Sequence, residues 1–303
     1  MNIIETRGLT RRFWRTEAVS DLNLSVEAGT ITALLGANGA GKSTTLKMLM
    51  NLLNPTSGSA HVLGVDSRRL GEKERACIGY IAEGQSLPMW MTVRQLLDYC
   101  RPFYPTWDRT LEVALLQQLD LPVDRPLKNL SRGMVMKAAL VSTLSYRPKL
   151  LLLDEPFSGL DPVVRDEFVQ GLLTASSDEG WTVVVSSHDV EEVERLADNV
   201  VFLDRGRMRF SESAESLQRR FRRVEVSGAG ITNAVPFSTR EIGWSSTGAL
   251  LQFITTAYRG DDTEAEWRGR FPDTVISTKP MTLREVFVAI EKAERLNSKG
   301  ITV

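Results

Sequence analysis

Residues 36–44 read GANGAGKST. Gly36 to Ser43 fits G-x-x-x-x-G-K-[ST], a spacing whose chemistry is the wrapping of a polyphosphate. Glycines let the backbone close tightly, so that the N–H groups of Gly36, Asn38, Gly39, Ala40, Gly41 and Thr44 face phosphate oxygens. Lys42 adds a positive charge for the β- and γ-phosphates, and the Ser43 hydroxyl is a ligand for Mg²⁺. Residues 150–156, LLLLDEP, deliver two acids at the end of an apolar run. Asp154 suits a place in the Mg²⁺ coordination sphere. Glu155 is the better candidate for polarising an attacking water, a general-base role worth about 10²–10⁴-fold. The chain has two histidines. His61 reads as structural. His188 ends the apolar run in SSHDVEE, where it is placed to hydrogen-bond the γ-phosphate or the attacking water.

A second phosphate-type feature is LSRGM at 130–134, just ahead of VMKAALVSTL. Ser-x-Gly before a helical run presents free backbone N–H groups at a helix start. One chain with two such features raises the question of which phosphate the second would hold.

Acids and a phosphate turn meet only if buried strands bring them to one crevice, as at the carboxyl ends of an open α/β sheet. The sequence supplies such strands in TITALLG (30–36), PKLLLLDEP (148–156), WTVVVSSH (181–188) and NVVFLDRGRM (199–208), the last with a turn. Helical patterns lie between them at 44–53, 163–176 and 190–198. The alternation predicts a mainly parallel sheet covered on both faces. Residues 91–147 are helical by pattern, with no strong strand among them, and read as a helical insertion at about 88–147. After residue 218 candidate strands at 223–228 and 249–257 and a helix over 282–296 predict a small α+β region. The expected division is therefore 1–218 and 219–303.

Composition excludes several classes. The chain has 303 residues, 42% apolar and 25% charged, with a formal net charge of −1. Such a balance gives no global pull toward nucleic acid. The local clusters RRFWR (11–15) and RRFRR (219–223) read as solvated edges. The two cysteines, Cys77 and Cys100, have no metal-type spacing and read as free thiols. No signal peptide is expected from MNIIETRGL. The apolar runs fall well short of the roughly 20 residues that cross a bilayer, so a membrane role would work through a partner.

The ordered set GANGAGKS, GYIAEGQ (79–85), LSRGM, LLLLDEP, SGLDP (158–162) and SSHD (186–189) resembles the ATP-binding-cassette (ABC) ATPases over residues 1–217. The resemblance implies a P-loop NTPase core with an antiparallel β N-terminal part, a helical subdomain, and ATP and Mg²⁺ as ligands. It also implies that two cassettes, as a homodimer or heterodimer, sandwich the nucleotide. Ser131 and Gly133 would then bind the γ-phosphate held by the facing cassette, and Asp161 would help position the hydrolytic water across the interface. Phe13 matches the adenine-stacking aromatic, with Trp14 the competitor for that role. At the loop that usually carries glutamine the chain has Glu83, with Gln85 two residues on. Arg132 and Met134 replace the usual Gly and Gln of the signature, and Arg132 either reaches the phosphates or faces solvent.

FYPTWD (103–108), the S-x-G-M signature and PMTLREVFVAI (280–290) look like the ATPases of bacterial export systems whose permease is a separate chain. The implied protein is peripheral on the cytoplasmic face of the inner membrane, bound to an integral-membrane permease, with no nucleic-acid partner. Two alternatives stand beside it. A soluble ABC ATPase acting on nucleic acid or ribosomes usually has a long coiled-coil insertion or paired cassettes, neither evident here. A P-loop kinase or GTPase would leave the signature and SGLDP without a purpose.

Overall fold

The computed structural model describes residues 1–177, 180–228 and 240–297. The chain divides into two compact units, Met1–Ser211 and Glu212–Val303.

The first unit opens with β1 (Asn2–Phe13), which pairs antiparallel with β2 (Thr16–Leu22) and β3 (Ser25–Glu27). Next, β4 (Ile31–Leu35) runs through the glycine-rich turn into α1 (Lys42–Leu49). The strands β5 (Ser57–Val62) and β6 (Val65–Asp66) rejoin the first sheet, in the order β2-β1-β5-β6. A short α2 (Glu72–Arg75) precedes β7 (Ile78–Ile81). Then come α3 (Val93–Cys100), α4 (Arg109–Gln118) and α5 (Arg132–Leu144), the helical insertion. Finally β8 (Leu150–Asp154), α6 (Pro162–Ser177), β9 (Thr182–Ser187), β10 (Asn199–Asp204) and β11 (Arg207–Ser213) complete the second sheet.

That sheet has the order β11-β10-β4-β9-β8-β7, and the pairings from β10 through β7 are parallel. Every residue of β8 and β9 is buried, as expected for strands covered on both faces. Leu34, Leu46, Leu150, Leu152, Val184 and Val201 share one core cluster with residues of the N-terminal sheet, so the core continues between the two sheets. Truncating one of these leucines to alanine would cost about 2–5 kcal/mol.

Register, more than any single residue, builds the crevice. Leu35 pairs with Ser187, and Asp154 pairs with Ser186. The turn after β4, the acid after β8 and the histidine after β9 therefore leave three adjacent strands at one level.

The helices of the insertion start where their caps allow. Thr92 accepts the Gln95 N–H at 3.2 Å, and the Gln95 side chain returns to the Thr92 N–H at 2.9 Å. Asp108 caps α4 by accepting from Thr110 and Leu111. Ser131 caps α5 through the Met134 N–H at 3.2 Å.

In the second unit α7 (Ala214–Arg220) leads into β12 (Arg222–Ser227). The remaining elements are β13 (Glu241–Thr247), β14 (Leu250–Thr255), α8 (Asp261–Arg270), β15 (Val275–Pro280) and α9 (Leu283–Asn297). The strands form an antiparallel sheet in the order β13-β14-β12-β15. Val224, Val226, Leu251 and Phe253 from the sheet pack with Trp267 and Phe271 into a core of the unit's own.

Some local expectations need correction. The pattern at 190–198 holds only a 3₁₀ turn at Val190–Glu192, because the Asp189 side chain caps it and the chain then folds through turns into β10. The helix expected over 44–53 ends at Leu49, where Asn51 takes a positive φ of 55°. The strands β7, β13 and β15 and the helix α8 lie in stretches where no element was expected. Residues 229–239 and 298–303 of the expected C-terminal region lie outside the described residues.

Candidate active site

The glycine-rich turn sits at the amino end of α1. Gly41, its N-cap, has φ 102°, and a methyl group built there would lie 2.5 Å from the Ala18 carbonyl oxygen. Only glycine fits that approach. Around the turn is a cavity of about 630 Å³, large enough for a nucleotide. Asn38, Gly39, Ala40, Gly41, Lys42, Ser43 and Thr44 line it, with Thr16, Glu17, Ala18, Glu83, Glu155 and Arg205.

Lys42 and Glu155 are both buried, with Nζ and Oε1 3.0 Å apart. Oε1 has no directed hydrogen bond among the described residues, so the contact is purely ionic. Lys42 Nζ donates instead to the carbonyls of Gly36 at 2.6 Å and Ala37 at 3.3 Å. The other oxygen of Glu155, Oε2, lies 2.8 Å from His188 Nδ1. Glu155 has φ 49°, an uncommon value for a residue with a side chain and a strain of order 1–3 kcal/mol. The Ser186 Oγ accepts the Glu155 N–H at 3.0 Å and so pins that backbone conformation.

Asp154 is 1% exposed. Its Oδ1 accepts from Ser43 Oγ at 2.9 Å and from Ser186 Oγ at 2.8 Å. Ser43 and Asp154 thus meet as two hard oxygen donors. No cluster of three His, Cys, Asp or Glu that could hold a metal occurs among the described residues. Two protein oxygens beside a phosphate turn suit Mg²⁺, which takes its other ligands from phosphate and water. Tyr80, on β7, has its hydroxyl buried without a hydrogen-bond partner among the described residues. Burial first, and the nearby Asp154 charge second, push its pKa up to about 12.

The two candidates at 83–85 are placed differently. Glu83 lines the cavity, whereas the Gln85 Oε1 accepts the Ala82 N–H at 3.3 Å and closes its own turn. Phe13 ends β1 with the Arg11 guanidinium 4.4 Å above its ring, and Trp14 is fully exposed at φ 51°. Neither lines the cavity, although Thr16 just beyond them does. His61 lies on β5, opposite Glu5 and Asp66 in the backbone register.

Ser131, Gly133 and Asp161 do not line the cavity either. Ser131 is exposed at the N-cap of α5, and Asp161 is exposed at the start of α6, accepting from the N–H groups of Val163 and Val164. Gly133 is buried, and a methyl built on it would meet Val164 Cγ1 at 2.7 Å.

Sequence reasoning missed Ser186, Tyr80 and Arg205. Ser186 was within reach, since it directly precedes Ser187-His188 on a buried strand and a buried hydroxyl needs a partner. Arg205 occupies the turn between β10 and β11 with φ 47°, which no local pattern marks.

The sequence family described as ABC transporter matches residues 19–158. The chain is 30% identical to the Nod factor export ATP-binding protein I of Neorhizobium galegae, covering 96% of this chain and 85% of that one. It is 26% identical to the ABC transporter ATP-binding protein YtrB of Bacillus subtilis, over 95% of this chain and 97% of that protein. A solved structure of the ATP-binding subunit of an ABC transporter superposes with a TM-score of 0.65 at 26% identity, covering 72% of this chain and 92% of its own.

Proposed function

The chain belongs to the ABC transporter ATP-binding proteins, a family of ATPases, and from that premise we propose how its residues divide the work. The observation that carries the proposal is the buried Lys42–Glu155 pair, with the exposed His188 on its outer oxygen, beside Ser43 and Asp154.

The turn from Gly36 to Thr44 cradles the phosphates of ATP, and Lys42 exchanges its carbonyl contacts for phosphate oxygens. Ser43 and Asp154 would hold Mg²⁺, which would neutralise charge on the phosphates. Glu155 is the general base, and His188 orients its carboxylate through the Nδ1 contact. Ser186 keeps both acids in place by bonding one side chain and the next backbone N–H. Glu83 lies on the cavity wall, where it adds a negative charge near the phosphates. Phe13 or Trp14 stacks on adenine.

Ser131, Gly133 and Asp161 serve a facing cassette, either a second copy of this chain or a related one. The exposure of Ser131 and Asp161 at the starts of α5 and α6, away from the chain's own phosphate cavity, supports that assignment. The helical insertion is the permease-facing part. Trp90, Tyr99 and Phe103 are 70%, 57% and 64% exposed there, and exposed aromatics in one subdomain mark a docking surface. No helix among the described residues is long and apolar enough to cross a membrane. A separate integral-membrane subunit, approached from the cytoplasmic face, fits that finding. Export is favoured by the likeness to the Nod factor export protein, which runs through both units of this chain.

Glu155→Gln tests the catalytic assignment. ATP binding persists while turnover falls about 10²–10⁴-fold. Turnover at the wild-type rate would remove Glu155 from the base role.

A further inference from the structure

Arg132 stands directly after the N-cap of α5, exposed to solvent. It forms no ion pair or hydrogen bond with a described side chain or backbone group. Its guanidinium instead lies over the turn at Gly159. A methyl group built on Gly159 would sit 2.6 Å from Nη1, 3.2 Å from Cζ and 3.8 Å from Nε. The plane of the guanidinium therefore occupies the space that a side chain at 159 would need. Gly159 has φ 72°, which by itself favours glycine, and the absent side chain is what lets the guanidinium come so close.

The turn beneath Arg132 joins two functional acids. The Ser158 N–H donates to the Glu155 carbonyl at 3.2 Å, and Leu160, 8% exposed, anchors the far side with its N–H on the Phe157 carbonyl at 3.0 Å. Asp161 follows and caps α6 through Val163 and Val164. The next residue of the pentad adds a second contact, because the buried Gly133 packs against the Val164 side chain. Residues 132 and 133 thus touch the 155–164 segment at two successive points. One is the turn carrying Glu155 and Asp161, and the other is the helix that Asp161 caps.

We propose that Arg132 is a positioning residue whose guanidinium braces the Gly159 turn. The pentad 130–134 and the loop from Glu155 to Asp161 then move as one body. This rests on the reading that both segments act at the interface with a facing cassette. It places the brace between the base of the chain's own site and the groups offered to the neighbouring site. A flat, always-charged guanidinium suits stacking on an exposed glycine turn, and a lysine ammonium has no such plane.

The test is a double-mutant cycle on kcat with Arg132→Ala and Gly159→Ala. Arg132→Ala lowers kcat about tenfold, with the KM for ATP within about twofold of wild type, because the brace touches no part of the phosphate turn. Gly159→Ala lowers kcat further in the wild-type background than in the Arg132→Ala background, by a factor of about five or more. Strain from the positive φ is common to both backgrounds and cancels. Arg132→Lys fails to restore the rate. Factors that simply multiply, or full rescue by lysine, overturn the brace.

Hydrogen exchange of the ATP-free protein gives a readout independent of turnover. The amides of Gly159 to Asp161 exchange about tenfold faster in Arg132→Ala, with β8 and β9 unchanged. Equal exchange overturns the proposal. Light scattering of Glu155→Gln with ATP separates the two readings. A dimer with independent factors overturns the brace alone. A monomer overturns the dimer reading and leaves the exchange data to judge the brace.

Discussion

The turn at 36–44 and the pentad at 130–134 both open a helix, and they are finished to different degrees. Around the first, the central charged groups have partners in the chain. Lys42 meets Glu155, Glu155 meets His188, and Asp154 accepts from Ser43 and Ser186. Lys42, Ser43 and Glu155 line the cavity, and Asp154 and His188 stand beside them at the ends of adjacent strands. Around the second, Ser131 and Arg132 are exposed, and the nearest functional acid, Asp161, is turned to cap its own helix. The difference teaches which half of the chemistry this chain completes alone. On the proposed reading it carries the acids and the lysine for hydrolysis, and it offers a facing cassette the donors of the pentad.

The comparison breaks most sharply at Glu155. Glu155→Gln removes the base and keeps the cavity, so turnover falls about 10²–10⁴-fold while ATP affinity stays near wild type. Steady-state hydrolysis alongside equilibrium ATP binding reads both. Lys42→Ala comes next, with a loss of about 10²–10³-fold in kcat/KM, since it removes a preorganised cation from the phosphates. Unlike Glu155→Gln, it weakens ATP binding as well.

Ser131→Ala is the matching change in the exposed half. It leaves ATP affinity of the isolated chain unchanged and lowers turnover about tenfold or more, the range for a lost hydrogen bond to a charged group. A large loss of ATP affinity in the monomer would place Ser131 at the chain's own phosphate and erase the distinction.

The smallest effect belongs to neither half. Asp108 caps α4 and pairs with Arg147, and its carboxyl is held below the usual range by the Leu111 N–H first and the Arg147 guanidinium next. A depressed carboxylate pKa contributes stability that is present above the unfolded value and lost as pH falls through the folded value. Asp108→Asn keeps the cap and removes the charge, costing about 0.5–1 kcal/mol at neutral pH for this partly exposed pair. Thermal melts should show the gap from wild type closing as pH falls through the folded-state pKa. Turnover per folded molecule should not move.

Much of the site was legible because its parts lie in contiguous strings on buried strands. GANGAGKS, LLLLDEP and SSHD each carry their residues at a strand end, and the apolar runs that mark the strands also fix the level at which they end. What stayed hidden depends on contacts across the chain. The role of Ser186 follows from the register of β8 against β9. The different placing of Glu83 and Gln85 follows from a turn that folds Gln85 back on Ala82. Arg132 read equally well as phosphate-reaching or solvent-facing, and the structure lays it on Gly159, a residue far along the sequence. Within the second unit, β13, β15 and α8 escaped detection because their apolar positions are few. The sheet is covered through Trp267 and Phe271, both from a segment that is otherwise strongly polar.

The central claim is that this chain's exposed half completes the nucleotide site of a facing cassette. Light scattering of purified Glu155→Gln protein, with and without saturating ATP, tests it most directly. The account predicts a monomer without nucleotide and a doubling of mass with ATP, abolished by adding Ser131→Ala. A mass that stays monomeric at saturating ATP, with binding verified in the same sample, would contradict it.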